Sequence, residues 1–155
     1  MTDAGRDDAA LKLYGTAVEM ADRVSSRRGQ ANQFYLSIET LLLGVPALVG
    51  LADTGGLESD PLRSTVLAAV GVLVSITWWL QLRSYRQLNR AKFDVILTIE
   101  REHFEIRPFS DEWESLKQDR IPGWRGRYAE LGTVERVVPV VFLIANALLG
   151  VWAWQ

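Results

Sequence analysis

The sequence predicts an all-α membrane protein with three transmembrane helices and long cytosolic helical extensions of spans one and two. Two observations carry this. Charge is segregated: residues 34–52, 64–82 and 137–154 are almost free of it, while the chain between them is densely charged. Each apolar stretch is close to the roughly 20 residues that a helix needs to cross a bilayer. The segments flanking the first two stretches repeat apolar residues at helical spacing. Whole-chain averages, 48% hydrophobic residues and a formal charge of −2, conceal both patterns.

Taken in order, residues 1–33 form an N-terminal cytosolic amphipathic helix. Leu11, Tyr14, Val18, Ala21 and Val24 mark its apolar stripe, weakened by Gly15 and Gly29. Span one, 34–52, carries Glu39 and Pro46 as its only blemishes. A short acidic outer loop, 53–63, leads to span two, 64–82, which has no charge and ends near Trp78 and Trp79, where interfacial aromatics are expected. Residues 83–106 continue that helix into the cytosol with Tyr85, Leu88, Val95, Ile99 and Ile106 on one face. Arg107-Pro108 ends it, because a residue before proline avoids the helical region. The linker 107–136 contains a short helix to about Arg120 with Ser110 as N-cap and Asp111 and Glu112 in its first turn. Thr133 is placed to cap span three, 137–155.

Arginine and lysine set the orientation. Arg23, Arg27 and Arg28 precede span one, Arg83, Arg86, Arg90 and Lys92 follow span two, and Arg125, Arg127 and Arg136 precede span three. The positive side is cytoplasmic, so the N-terminus lies inside and the C-terminus outside.

The composition narrows the chemistry. There is no cysteine and a single histidine, His103, so neither disulfides nor the usual zinc ligands are at hand. The acidic, polar start lacks the features of a secretory signal. No phosphate-binding glycine loop or nucleophile motif is present, so no catalytic residue, metal or cofactor is assigned, and an enzyme is not expected.

The candidate sites are therefore polar groups in or near the membrane. An ionisable residue within a span is a functional hypothesis by default. Glu39 lies about 9 Å in from the inner edge, at 1.5 Å per residue. Ser75 and Thr77 of span two fall at a similar depth and Asn146 of span three somewhat deeper. Together they make a polar layer with two open readings: a hydrogen-bonded packing element, or a pore or gate in which one carboxylate per subunit forms a ring. Gly71 and Ser75 make a small-xxx-small pair suited to close helix contact. The juxtamembrane cations Arg23, Arg27, Arg28, Arg83, Arg86, Arg90 and Lys92 suit lipid headgroups or a phosphate-bearing ligand.

Four segments also carry a likeness. They are Tyr14 with Val18-Glu19-Met20-Ala21-Asp22-Arg23; Arg27-Arg28-x-x-Ala31-Asn32-x-Phe34; the run from Trp79 through Arg83-Ser84-Tyr85-Arg86, Leu88-Asn89 and Ala91-Lys92-Phe93 to Ile99-Glu100; and Val134-Glu135-Arg136-x-Val138-Pro139. With them the chain resembles bacterial small integral membrane proteins related to the SLATT superfamily. The resemblance implies a membrane effector of antiphage defence in the bacterial inner membrane: a homo-oligomeric pore or ion channel that permeabilises or depolarises the cell. It also implies a nucleotide second messenger, or an adjacent nucleotide-producing protein, as partner. A third span departs from the common two-span SLATT pattern. The other reading is a non-conducting membrane-anchored scaffold or sensor whose cytosolic helices bind a soluble partner. Nothing points to binding of a nucleic-acid duplex.

Overall fold

The computed structural model describes residues 3–51, 61–118 and 135–154, with side chains left out at 3, 4, 6, 45–51 and 116–118. The described residues hold four helices and no strand: α1 Asp3–Leu51, α2 Pro61–His103, α3 Pro108–Gln118 and α4 Val137–Trp152. The expected continuity of spans and extensions holds over the described residues, as two unbroken helices of 49 and 43 residues, the second ending at His103 and not at the expected 106. Among the described residues one helix, α2, is long and apolar enough to cross a membrane. The apolar α4 has 16 residues, and the first expected span runs into the residues whose side chains are left out. Thr133, Arg125 and Arg127 lie outside the described residues.

The chain divides into two compact units. The polar unit comprises α1 up to Arg27, α2 from Ser84, and α3. The apolar unit comprises α1 from Arg28, α2 up to Arg83, and α4 with the two residues before it.

In the polar unit α1 and α2 run antiparallel, as two cross-links require: Tyr14 bonds Glu100 and Ser25 bonds Asn89. The inward positions of α1 are Ala10, Tyr14, Ala17, Ala21 and Val24, and those of α2 are Tyr85, Asn89, Lys92, Ile96 and Ile99. Both sets repeat at alternating spacings of 4 and 3, the seam of a coiled coil. Small alanines on α1 let the helices approach, and Ile96 and Ile99 fill the space between them. Tyr14, Ala21, Val24, Tyr85 and Ile99 lie on this seam as expected. Leu11, Leu88 and Val95, expected to face inward, are 45–58% exposed, and Ile106 lies beyond the end of α2.

The linker helix also starts earlier than expected. Pro108 opens α3 and the Arg107 carbonyl accepts from Asp111 N–H at 2.9 Å, so Ser110 sits in the first turn and not at the cap. Proline suits this first position because it has no N–H to leave unpaired.

In the apolar unit, Trp78 is buried within the chain. It donates its indole N–H to Asn32 Oδ1 at 2.8 Å, stacks on Tyr35 at 5.8 Å and touches Phe142. Trp154, by contrast, is exposed and donates to Thr65 Oγ1 at 2.7 Å.

Candidate functional site

Each unit is organised around one buried glutamate side chain. In the apolar unit it is Glu39, wholly enclosed. Ser75 Oγ donates to its Oε1 at 2.5 Å and Asn146 Nδ2 to its Oε2 at 2.9 Å. The Asn146 amide also donates to the Phe142 carbonyl at 2.9 Å on its own helix. One acid thereby ties α1 to α2 and to α4. Gly71 makes the reach possible: a Cβ there would run into the Asn146 carboxamide.

Three of the four residues assigned to the polar layer therefore come together: Glu39, Ser75 and Asn146. Thr77 does not. It is exposed and returns its hydroxyl to the Leu73 carbonyl at 2.8 Å. At 100° per residue it stands about 200° around α2 from Ser75, so the two cannot face α1 together. Both Glu39 oxygens are engaged inside one subunit, and the group presents no exposed face.

The second glutamate, Glu100 in the polar unit, was not singled out from the sequence. It is also wholly buried and accepts four hydrogen bonds. Tyr14 Oη at 2.8 Å and Phe109 N–H at 3.0 Å reach Oε1, while Ser110 N–H at 3.0 Å and Ser110 Oγ at 2.7 Å reach Oε2. The first N–H groups of a helix have no partner within it. Here proline removes one and Glu100 takes the next two, while its charge meets the positive end of the α3 dipole. Burial pushes the Glu100 carboxyl up, but the bonds from Ser110, Phe109 and Tyr14 outweigh it and hold the group below its ordinary range. Tyr14, desolvated and donating to that carboxylate, is pushed up from 10.0 to about 12. The available signal was position: Glu100 falls four residues after Ile96, on the buried stripe of α2.

Three of the juxtamembrane cations, Arg23, Arg28 and Arg86, are engaged within the chain. Arg23 pairs with Glu19 at 2.6 Å, and Arg28 with Glu135 at 3.2 Å. The first pair is exposed and contributes a few tenths of a kcal/mol. The second is half-buried and joins α1 to the residues just before α4. Arg86 is half-buried and engaged. Arg27, Arg83 and Arg90 are exposed and Lys92 is half-buried. His103 is exposed at the end of α2.

Long helices, an apolar unit laced by buried polar side chains, and a dense juxtamembrane belt of cations define a helical membrane protein. The model of the Octameric membrane protein family (8xMP) matches residues 11–154, and the chain belongs to that family. The match gives no support to the SLATT relationship expected from the juxtamembrane motifs. No curated protein and no solved structure matches the chain.

Proposed function

We propose that the protein is a homo-oligomeric membrane pore, an octamer as the family description has it. Each subunit crosses the bacterial inner membrane three times and holds its polar unit on the cytoplasmic side. One observation carries the reading. Gln33, Ser37, Thr40 and Gly44 recur along α1 at spacings of 4, 3 and 4, within about 60° of arc. The first three are exposed, on the side of the helix away from Glu39. Ser37 and Thr40 return their hydroxyl protons to the Gln33 and Leu36 carbonyls at 2.8 and 2.7 Å, which leaves oxygen lone pairs outward. Lipid tails offer such a stripe no partner, whereas water in a lumen on the oligomer axis does. One chain cannot enclose that lumen and a ring of copies can.

On this reading Glu39 is the clasp that holds a subunit's helices in register, and the lumen is lined by neutral oxygens. The exposed Arg27, Arg83 and Arg90 face lipid headgroups or an anionic regulator. An open pore of this kind collapses the membrane potential, which is the action that the expected antiphage role requires.

The test is conductance of Ser37→Cys in planar bilayers. The natural chain has no cysteine, so a charged thiol reagent has one target. Block of the variant's current, with wild type unaffected, is the expected result. Currents that the reagent leaves unchanged would remove the stripe from the lumen. An intact oligomer without current under any trigger would favour the non-conducting scaffold.

A further inference from the structure

The polar stripe of α1 has a counterpart earlier in the same helix. Gln33, Ser37 and Thr40 stand 18 residues after Gly15, Glu19 and Asp22, and 18 residues are five full turns of an α-helix. The helix is unbroken from Asp3 to Leu51. Each unit gives the match by itself as well. In the polar unit Asp22 directly follows the inward Ala21, and Glu19 stands two residues after the inward Ala17. In the apolar unit Thr40 directly follows the buried Glu39, and Ser37 stands two residues after Tyr35, which stacks on Trp78. The earlier row, like the later one, is exposed.

The two rows differ in charge. The later one is neutral, and the hydroxyl protons of Ser37 and Thr40 are committed to carbonyls of their own helix. What these side chains turn outward is oxygen, which receives a cation. An anion needs a donor, and supplying one gives up the bond to the helix. The earlier row is acidic. The cations nearest to it, Lys12 and Arg23, are each matched to an acid one turn before, Asp8 at 2.7 Å and Glu19 at 2.6 Å. Asp22 has no ion-pair partner among the described residues, so it sets the sign of this face. The arginines near it on α1 point elsewhere. Arg27 stands about 140° around the helix from Asp22, and Arg28 is turned to Glu135.

We propose that the pore passes small monovalent cations, with Asp22 of each subunit contributing to a ring of carboxylates on its cytoplasmic approach and the Ser37 and Thr40 oxygens receiving the ion within the span. Rings of acids are a recurrent element of cation channels. No acid stands in the later row, because Glu39 is enclosed and accepts from Ser75 and Asn146. Neutral oxygens suit a single charge, whereas a divalent ion is held by carboxylates. The inference rests on the pore reading above and adds to it what the pore conducts.

Reversal potentials in a potassium chloride gradient test it on the full-length protein in planar bilayers, with wild type beside Asp22→Asn and native mass measured for both. Wild type is expected to prefer potassium to chloride and to carry less current when calcium replaces potassium. A carboxylate ring acts over about 10 Å at 0.1 M salt and about 3 Å at 1 M. Asp22→Asn is therefore expected to lose about half or more of the wild-type conductance at the lower concentration and little at the higher. Asp22→Cys separates charge from bulk, since the natural chain has no cysteine. An anionic thiol reagent is expected to restore the current at low salt and a cationic reagent to lower it further. Equal effects of the two reagents, or full conductance in Asp22→Asn, overturn the role of Asp22. Currents that prefer chloride to potassium, or calcium to potassium, overturn the inference and leave the pore standing. An intact oligomer without current under any trigger overturns both.

Discussion

Replacing Glu100 by glutamine tests the clasp of the polar unit. The change keeps volume and shape and turns one acceptor oxygen into an amide donor. Each carboxylate oxygen now takes one backbone N–H of α3 and one hydroxyl. Whichever way the new amide turns, one of the two N–H groups at the start of α3 faces a donor. Leaving a buried donor unpaired costs about 1–3 kcal/mol, and the surviving bonds fall from charge-assisted to neutral strength, about 1 kcal/mol each. The sum is about 3–5 kcal/mol against docking of α3. At about 1.4 kcal/mol per tenfold, its amides should exchange about 10² to 4 × 10³ times faster. Hydrogen exchange by mass spectrometry on the protein in lipid nanodiscs reads this on α3 directly. Glu102→Gln, an exposed neighbour on the same helix, is the control and should leave exchange unchanged. Protection of α3 within about threefold of wild type in Glu100→Gln would refute the reasoning, because it would mean that the carboxylate holds nothing that an amide cannot.

Three other outcomes follow from the same contacts. Gly71→Ala forces a methyl group into the Asn146 carboxamide and should destabilise the apolar unit by about 1–3 kcal/mol; Gly71→Ala with Asn146→Ala should cost less than the two singles summed, read from unfolding midpoints in detergent. Trp78→Phe keeps the ring beside Tyr35 and loses the indole bond to Asn32, for a loss of about 1 kcal/mol in the same assay. The polar unit should respond to pH at both ends. Glu100 sits below its ordinary 4.5 in the fold, so its contribution is present above that value and is lost as pH falls through the folded value. Tyr14 is raised from 10.0 to about 12, so its contribution is intact below 10.0 and is lost as pH rises toward 12; α3 exchange, corrected for intrinsic rate, reports both.

The long helices were legible because charge segregation and helical spacing are properties of the chain itself. The depth match of Glu39 with Ser75 and Asn146 was legible too, since rise per residue fixes depth. Depth says nothing of angle, however, and that is how Thr77 entered the set beside Ser75. The α1 side of the seam was largely legible, with Tyr14, Ala21 and Val24 inward as expected, whereas on α2 polar side chains occupy part of it: Asn89, Lys92 and Glu100 lie on the inward face beside the expected Tyr85 and Ile99, so a stripe drawn from apolar residues alone slid toward Leu88 and Val95. Glu100 escaped for the same reason. An acid among charged neighbours reads as solvated until the partners it satisfies, here the start of a helix nine and ten residues further along, are in view. Ser110 has the chemistry of a cap, but Pro108 can begin a helix, and with Glu100 in reach the proline does so.

Gly71 carries a consequence for descent. The space that it leaves is filled by an amide from another helix, and that amide is what reaches Glu39. A side chain at 71 is admissible only with something smaller than asparagine at 146, and a smaller residue there abandons one oxygen of the acid. Positions 39, 71 and 146 are therefore one inherited character spelled in three places: among relatives they should change together or stay fixed together, and a chain altered at one alone should be rare.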